Sequence, residues 1–426
     1  PTSVNNVGYI VDLWQHEIQR AMKDRLVNVQ DRTWFDAQVF AVLEKHKLSK
    51  FTSSVPSTSE SEWEDGTTVG SNITPKKYSL VFGSFMNRDD GPGNMSYERV
   101  DTTGGLDSIR KVMEEALEDY AMEASSGNSK SKAIDPGLVF FDDAIGHISR
   151  ACRVLGQPRG SIVLVGLGGS GRRSLARLAS FVLNQQCREV RLTRTYGVNE
   201  WRIDLKEALL EAGLNKEGRP VTLLLSDTEI LDESFLENLN CVLNSGDAPN
   251  LYENEDRDRI LDGMRYVSSN NNSSGKDKGG IGADAIFARY VARVRENFRL
   301  ALALSPAGSK FRERCRSFPS LVNCSTIDWY DPWPTAALDA VARHFLFEKQ
   351  DNHHDNTSSD QNDEAHVPRQ EFRSLMLTEG LEESSIESNK KSMLLWVEAL
   401  CEVVVQVHRS VEISSEKFLR DTGRHN

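Results

Sequence analysis

The stretch that most constrains the fold is residues 161–182, SIVLVGLGGSGRRSLARLASFV. Ile162, Val163, Leu164 and Val165 form an apolar run that reads as a fully buried strand. A glycine-rich turn follows over 166–171, and Leu175, Leu178, Ala179 and Val182 then recur at helical spacing. A strand, a glycine turn and a helix in that order make a place for a phosphate group. Glycine lets the backbone come close, and the amides at the helix N-terminus point at the anion. Two motifs overlap here. Gly166, Gly168 and Gly171 match the dinucleotide fingerprint GxGxxG. Gly166 and Gly171 also match the outer glycines of the Walker A loop GxxxxGK[ST], with Arg172 in the lysine's position and Ser174 one place late.

Composition narrows the partners. A chain of 426 residues with 38% hydrophobic and 27% charged residues has room for two or three soluble globular domains. A net charge of −12 argues against a general nucleic-acid or anionic-membrane binder. No apolar run has the length of a bilayer span, and no signal peptide opens the sequence. The six cysteines are scattered without a CxxC pair, which suits a reducing compartment and speaks against a disulfide framework or a zinc site. His353 and His354 lie in a polar tract and read as solvated loop residues.

Periodicity predicts helices over 8–48, with Tyr9, Leu13, Trp14, Ile18 and Met22 on one face, and over 105–123. Another helix starts at Asp142 and Asp143 and runs to Leu155; acids in a first turn suit the helix dipole. Beyond the glycine turn the pattern gives a strand over 189–193, a helix over 200–212 and a buried strand over 221–225. That strand ends in Ser226, Asp227, Thr228 and Glu229. A helix over 235–243, a low-complexity loop over 266–282 and a strand over 298–304 follow, the strand ending at Ser305. Next come a basic helix with Lys310, Arg312, Arg314 and Arg316 and a strand over 322–329. Strands alternating with helices imply a doubly wound parallel sheet, with ligands beyond the strand C-termini. The remainder reads as helical, over 335–348 and 393–418. Polar inserts occupy 53–72 and 350–371.

A hydride-transfer enzyme needs an acid about 20 residues past the glycines to hold a ribose. Thr193 and Arg194 stand there, suited at best to a 2′-phosphate. A nucleoside-triphosphate site needs a carboxylate at a strand end, a base, a polar sensor and an outside positive charge. Asp227 supplies the first or the second, Ser305 the sensor, and Arg314 and Arg316 are candidate fingers. Asp227 as a simple helix cap and the arginines as a solvated face are the competing readings.

In order and wording the chain resembles the dynein heavy chain family, at the fourth of its six AAA+ modules. The runs that carry the resemblance are LVFFDDAIGHISRACRVL (138–155), GLGGSGRRSLARL (166–178), FLENLNCVLNSGDAPNLY (235–252) and LSPAGSKFRERCRSFPSLVNCSTIDWYDPWP (304–334). LWQHEIQRAMKDRLV (13–27) is similar to the end of the third module's lid, and TGRHN to the segment before the coiled-coil stalk. The wording NCSTIDWYDPWP resembles the axonemal members.

The resemblance implies an α/β P-loop NTPase (AAA+) fold with a helical lid subdomain, divided as follows. Residues 1–50 would end the preceding module's lid, 51–135 form a linker, 136–335 the α/β subdomain and 336–426 the lid. It implies that Gly166, Leu167, Gly168, Gly169, Ser170, Gly171, Arg172, Arg173 and Ser174 wrap the phosphates of ATP or ADP. Leu138, Val139, Phe140 and Phe141 would border the adenine. Mg2+ would be held by Ser174 and Asp227, with Asp227 and Glu229 at the Walker B strand end and Ser305 at the sensor position. Arg314 or Arg316 would face the preceding module's nucleotide, and nucleotide held between block and lid would set their relative angle. The implied partners are neighbouring AAA+ modules, dynein intermediate and light chains, and microtubules reached through a stalk outside this sequence.

Departures from a working ATPase are visible. Arg172 replaces the lysine, and a planar guanidinium is no equivalent of a compact ammonium. Ser226-Asp227-Thr228 offers one acid where an active Walker B has two adjacent ones. Binding with weak or absent hydrolysis is therefore the expectation, in a regulatory segment of a minus-end-directed motor of cilia and flagella. The alternatives are a nucleotide-free interaction module of the ring and, more remotely, an NADP-dependent oxidoreductase.

Overall fold

The computed structural model describes residues 7–52, 81–86, 97–100, 105–125, 138–215, 218–271, 282–349, 366–368, 399–411 and 413–414. The chain divides into two units, residues 1–134 with 142–330, and residues 135–141 with 331–426.

In the first unit, α1 (Val7–Ala21) and α2 (Val29–Lys45) pack through Val11, Val39 and Leu43. Asp12 is buried on α1, yet its carboxylate accepts from Thr52 Oγ1 at 2.8 Å and from Arg99 at 2.8 Å, so the charge is compensated. Arg99 ends a two-stranded antiparallel pair, β1 (Phe82–Gly83) with β2 (Glu98–Arg99). Helix α3 (Leu106–Ser125) buries Ile109, Met113, Ala116 and Tyr120, one stripe at helical spacing.

The sheet follows from the strand–helix alternation. Helix α4 (Asp142–Leu155) precedes β3 (Ile162–Val165), and α5 (Arg172–Val182) precedes β4 (Gln186–Glu189). Then come α6 (Val198–Leu214), β5 (Val221–Ser226), α7 (Ser234–Ser245), α8 (Asn254–Asn271), α9 (Ala283–Asn297) and β6 (Phe298–Leu304). Helices α10 (Lys310–Ser317) and α11 (Pro319–Asn323) lead to β7 (Thr326–Trp329). The five strands lie in the order β4-β5-β6-β3-β7, and every pairing is parallel.

Alternation assigns the two faces. Val163, Val165, Leu223, Leu225, Leu300, Leu302 and Leu304 share one core with α6, α7 and α9, where Trp201 stacks on Phe235 at 4.7 Å. Ala301 and Ala303 point to the other face, where small side chains leave room for α4 and α5. There Arg299 is buried and donates its Nε to Leu155 O at 3.1 Å, joined by Gln185 Nε2 at 2.7 Å. Both satisfy a carbonyl at the C-terminal end of α4.

Three expectations shift. The second strand lies at 186–189 rather than 189–193, because Val190 ends the pairing and residues 191–193 turn outward. Residues 266–271 continue α8 instead of opening a loop, and the rest of that tract, 272–281, lies outside the described residues. The strand expected over 322–329 starts only at Thr326; Pro319 sits at the N-terminus of α11, where its missing N–H costs nothing. The insert at 53–72 also lies outside the described residues, as do Met393, Phe418 and TGRHN.

In the second unit, Phe141 meets Trp333 edge-on at 5.3 Å. Helix α12 (Thr335–Leu346) buries Ala337, Leu338 and Ala342, and a helix over 399–411 buries Cys401 and Val405. Arg409 donates to Trp333 O at 2.9 Å. A short antiparallel pair, β8 (Phe347–Lys349) with β9 (His366–Pro368), falls inside what the sequence reads as helix end and polar insert.

Candidate functional site

At the C-terminal edge of the sheet the Gly166 amide donates to Leu304 O at 3.1 Å, extending the ladder by one residue before the chain turns away. A Cβ on Gly166 would meet Tyr330 Cβ at 2.7 Å, so only glycine fits there. Gly169 and Gly171 take φ of 83° and 76°, the left-handed region that favours glycine. Ser170 Oγ donates to Leu167 O at 2.9 Å and closes the loop, whose tip, 167–169, is exposed. Gly171 is the N-cap of α5 and brings no side-chain cap. The first amides of α5 are thus left for an anion.

Each sequence-predicted residue has a definite place. Arg172 donates to Leu304 O, and burial lowers its pKa despite nearby Asp227. Arg173 turns toward the sheet and donates to Glu189 and Glu229, both at 2.8 Å, and to Ser226 Oγ at 3.3 Å. Its Nε is buried with no hydrogen-bond partner among the described residues. Ser174 lies half-buried in the first turn of α5. Leu138, Val139, Phe140 and Phe141 belong to the second unit, Phe140 buried and the others half-buried.

The tip of β5 explains the fate of its acids. The strand ends at Ser226, and residues 227–229 form a tight 3-10 turn. Ser226 donates to Glu229 Oε2 from its amide at 2.8 Å and from its hydroxyl at 3.1 Å, folding Glu229 back into a buried position. Asp227 is engaged through both oxygens: one accepts from the Ser305 amide, the other from Arg314 at 3.0 Å. Arg314 is buried and also donates to Glu233 at 3.1 Å, while Arg316 is exposed. Ser305 Oγ accepts from the Ala307 amide at 3.3 Å. Asp227, Ser305 and Arg314 are brought together; Arg316 is not.

Strand order decides between the two glycine motifs. A dinucleotide fold sets its second strand beside its first. Here β6 and β5 stand between β3 and β4, which is incompatible with that fold and removes the oxidoreductase alternative. A family model described as the P-loop containing dynein motor region D4 matches residues 137–426. The chain belongs to that family. Relatives agree across this dynein D4 region and the residues before it. Dynein axonemal heavy chain 1 of Homo sapiens is 36% identical over 427 residues, covering 100% of this chain and 8% of the relative. The Dynein-1-beta heavy chain, flagellar inner arm I1 complex, of Chlamydomonas reinhardtii is 37% identical over 344 residues, covering 81% of this chain and 7% of the relative. Dynein axonemal heavy chain 3 of Homo sapiens is 35% identical over 346 residues, or 81% of this chain and 8% of the relative. The chain therefore spans under a tenth of the length of these relatives.

Two groups in this D4 region carry more of the site than the sequence reading gave them. Glu189, at the end of β4, accepts Arg177 at 2.5 and 3.0 Å as well as Arg173. Burial alone would raise its carboxyl pKa; Arg177 and Arg173 outweigh that and hold it below the usual value. Asp328 on β7 is fully buried and accepts from His147 Nδ1 at 2.8 Å and from Arg150. The His147 ring stacks on Tyr330 at 3.8 Å, with Tyr330 directly against Gly166. The run CSTIDWY, already singled out for its wording, holds both Asp328 and Tyr330; its alternation pointed to a strand, but not to a charge inside the core.

A P-loop dynein motor region in general implies a nucleotide with Mg2+. The loop amides and Arg172 fit the phosphates. The magnesium donors fit poorly. Both Asp227 oxygens are engaged, Ser226 and Thr228 on either side of it bring hydroxyls and no second acid, and Arg173 follows directly on Arg172. Among the described residues no group of three or more His, Cys, Asp or Glu is arranged to hold a metal ion.

Proposed function

We propose that this chain is a regulatory, nucleotide-binding AAA+ module of an axonemal dynein heavy chain, holding ATP or ADP and hydrolysing it weakly or not at all. The observation that carries the reading is the pairing of open and closed groups. The α5 amides are uncapped beside Arg172, whereas Asp227 and Glu229 are both consumed by partners within the chain. A carboxylate tied to a guanidinium is a poor base for water. Within the heavy chain, residues 1–50 would close the preceding module's lid, 51–135 link, and 136–335 and 336–426 form block and lid. Its partners would be the neighbouring modules of the ring, with intermediate and light chains elsewhere on the motor. Microtubules would be reached through a coiled-coil stalk outside residues 1–426, in the cytoskeleton of a cilium or flagellum. The names of the relatives support that setting.

Titrating the chain with a fluorescent ATP analogue, alongside Gly171→Asp, tests the reading. Saturable binding by the native chain, lost in the variant and without phosphate release, is expected. Steady release would overturn the weak-hydrolysis claim, and absence of binding would favour an empty interaction module. Saturable co-sedimentation with microtubules at physiological salt would contradict the placement of the stalk outside this sequence.

A further inference from the structure

In the Walker A spacing the residue after the lysine is the serine or threonine whose hydroxyl ligates magnesium. Counting from Gly166, the lysine's place is Arg172 and the hydroxyl's place is Arg173. Ser174 follows one residue later, about 100° around the helix, and so does not project from the same point. The second ligand of such a metal is an acid at the tip of the Walker B strand. Here the two sides of that gap are joined directly. The Arg173 guanidinium runs from the first turn of α5 to the β5 tip, 2.8 Å from Glu229 Oε1 and 3.3 Å from Ser226 Oγ.

We propose that the Arg173 guanidinium stands in the place of the divalent cation, so that this D4 region binds its nucleotide without magnesium. The inference rests on the nucleotide-binding reading above. Charge supports it. Arg173 pairs with both Glu189 and Glu229, and Arg177 pairs with Glu189, so each of these two acids already faces a guanidinium. A magnesium ion entering the gap would have to displace Arg173 or sit beside it, and like charges at such range repel. Asp227, the remaining acid, is already held by Arg314 and the Ser305 amide. Neutralising the phosphates then falls to Arg172 and the loop amides, neither of which needs a metal.

The test compares dissociation constants of the 426-residue chain for a fluorescent ATP analogue in excess MgCl2 and in excess EDTA. Values within about threefold, less than 1 kcal/mol, are expected. A loss beyond about threefold in EDTA overturns the proposal while leaving nucleotide binding intact. Binding in neither buffer overturns both. Arg173→Ser restores the hydroxyl and vacates the gap. It is expected to bind at least about tenfold more tightly with magnesium than with EDTA. A variant that folds by circular dichroism yet stays indifferent to the metal overturns the proposal. Should that variant fail to fold, the native-chain comparison still decides.

Discussion

Replacing Asp328 by Asn removes one negative charge from the floor of the phosphate loop, and its cost follows from what remains behind. The carboxylate is fully buried between His147, at 2.8 Å, and Arg150, whose side chain is itself 10% exposed. Without it Arg150 still has Asp24 nearby, at 3.7 Å from its Nε. Removing one partner of a buried pair costs roughly 3–5 kcal/mol. Asp24 compensates in part and Asn still offers His147 an acceptor, so the lower end, about 3 kcal/mol, is expected. Urea unfolding followed by circular dichroism reads this as a shifted midpoint at unchanged slope. The pH dependence has a definite sign. Burial raises the Asp328 carboxyl pKa, but Arg150 and His147 overcome that and hold it below its ordinary value. Its contribution is therefore complete above about pH 4, the unfolded value, and is lost as pH falls through the lower folded value. The gap between native chain and Asp328→Asn narrows below about pH 4. Because Tyr330 links His147 to Gly166, the variant also binds nucleotide more weakly. A stability loss under about 1 kcal/mol, or a gap that widens in acid, would refute the reasoning.

Two further outcomes follow from the same geometry. Gly166→Ala places a methyl 2.7 Å from Tyr330 Cβ, so the loop must shift; nucleotide affinity drops by about tenfold or more in a fluorescence titration while the fold persists. Arg314→Ala removes two charge-assisted hydrogen bonds, but the acceptors Asp227 and Glu233 are 32% and 59% exposed, so thermal unfolding shows a loss of about 1–2 kcal/mol. Phosphate release by that variant stays at background, because Glu229 remains held by Arg173.

The site was legible where local rules act alone. An apolar tetrapeptide, glycines and a helical repeat specify β3, the loop and α5 with little help from distant residues. The β5 strand and the acid behind it were readable for the same reason. Strand order was not, since it depends on which apolar faces meet across the sheet. β4 was displaced because its residues, Gln186, Cys187, Arg188 and Glu189, lack the alternation that marks a half-buried strand; pairing with β5 holds them. Helix α8 carries a polar end that composition alone reads as loop. The arginine partners were invisible for a different reason. A salt bridge between residues 12 or 56 apart leaves no local signature. Yet the late position of Ser174 already put a cation where a hydroxyl belongs.

The two acids at the β5 tip tie separate elements together. Glu229 joins the β5 tip to α5 through Arg173, and Asp227 joins it to α10 through Arg314 and to the end of β6 through Ser305. The tip thus becomes a strut between α5 and α10. A hydrolytic site cannot use its carboxylates this way, because a base must exchange protons with water and a strut must keep its partner. On the proposed reading, loss of hydrolysis and gain of a fixed connection are one change. Nucleotide arriving at α5 then acts through Arg173 on the β5 tip, and from there on α10, without any bond being broken.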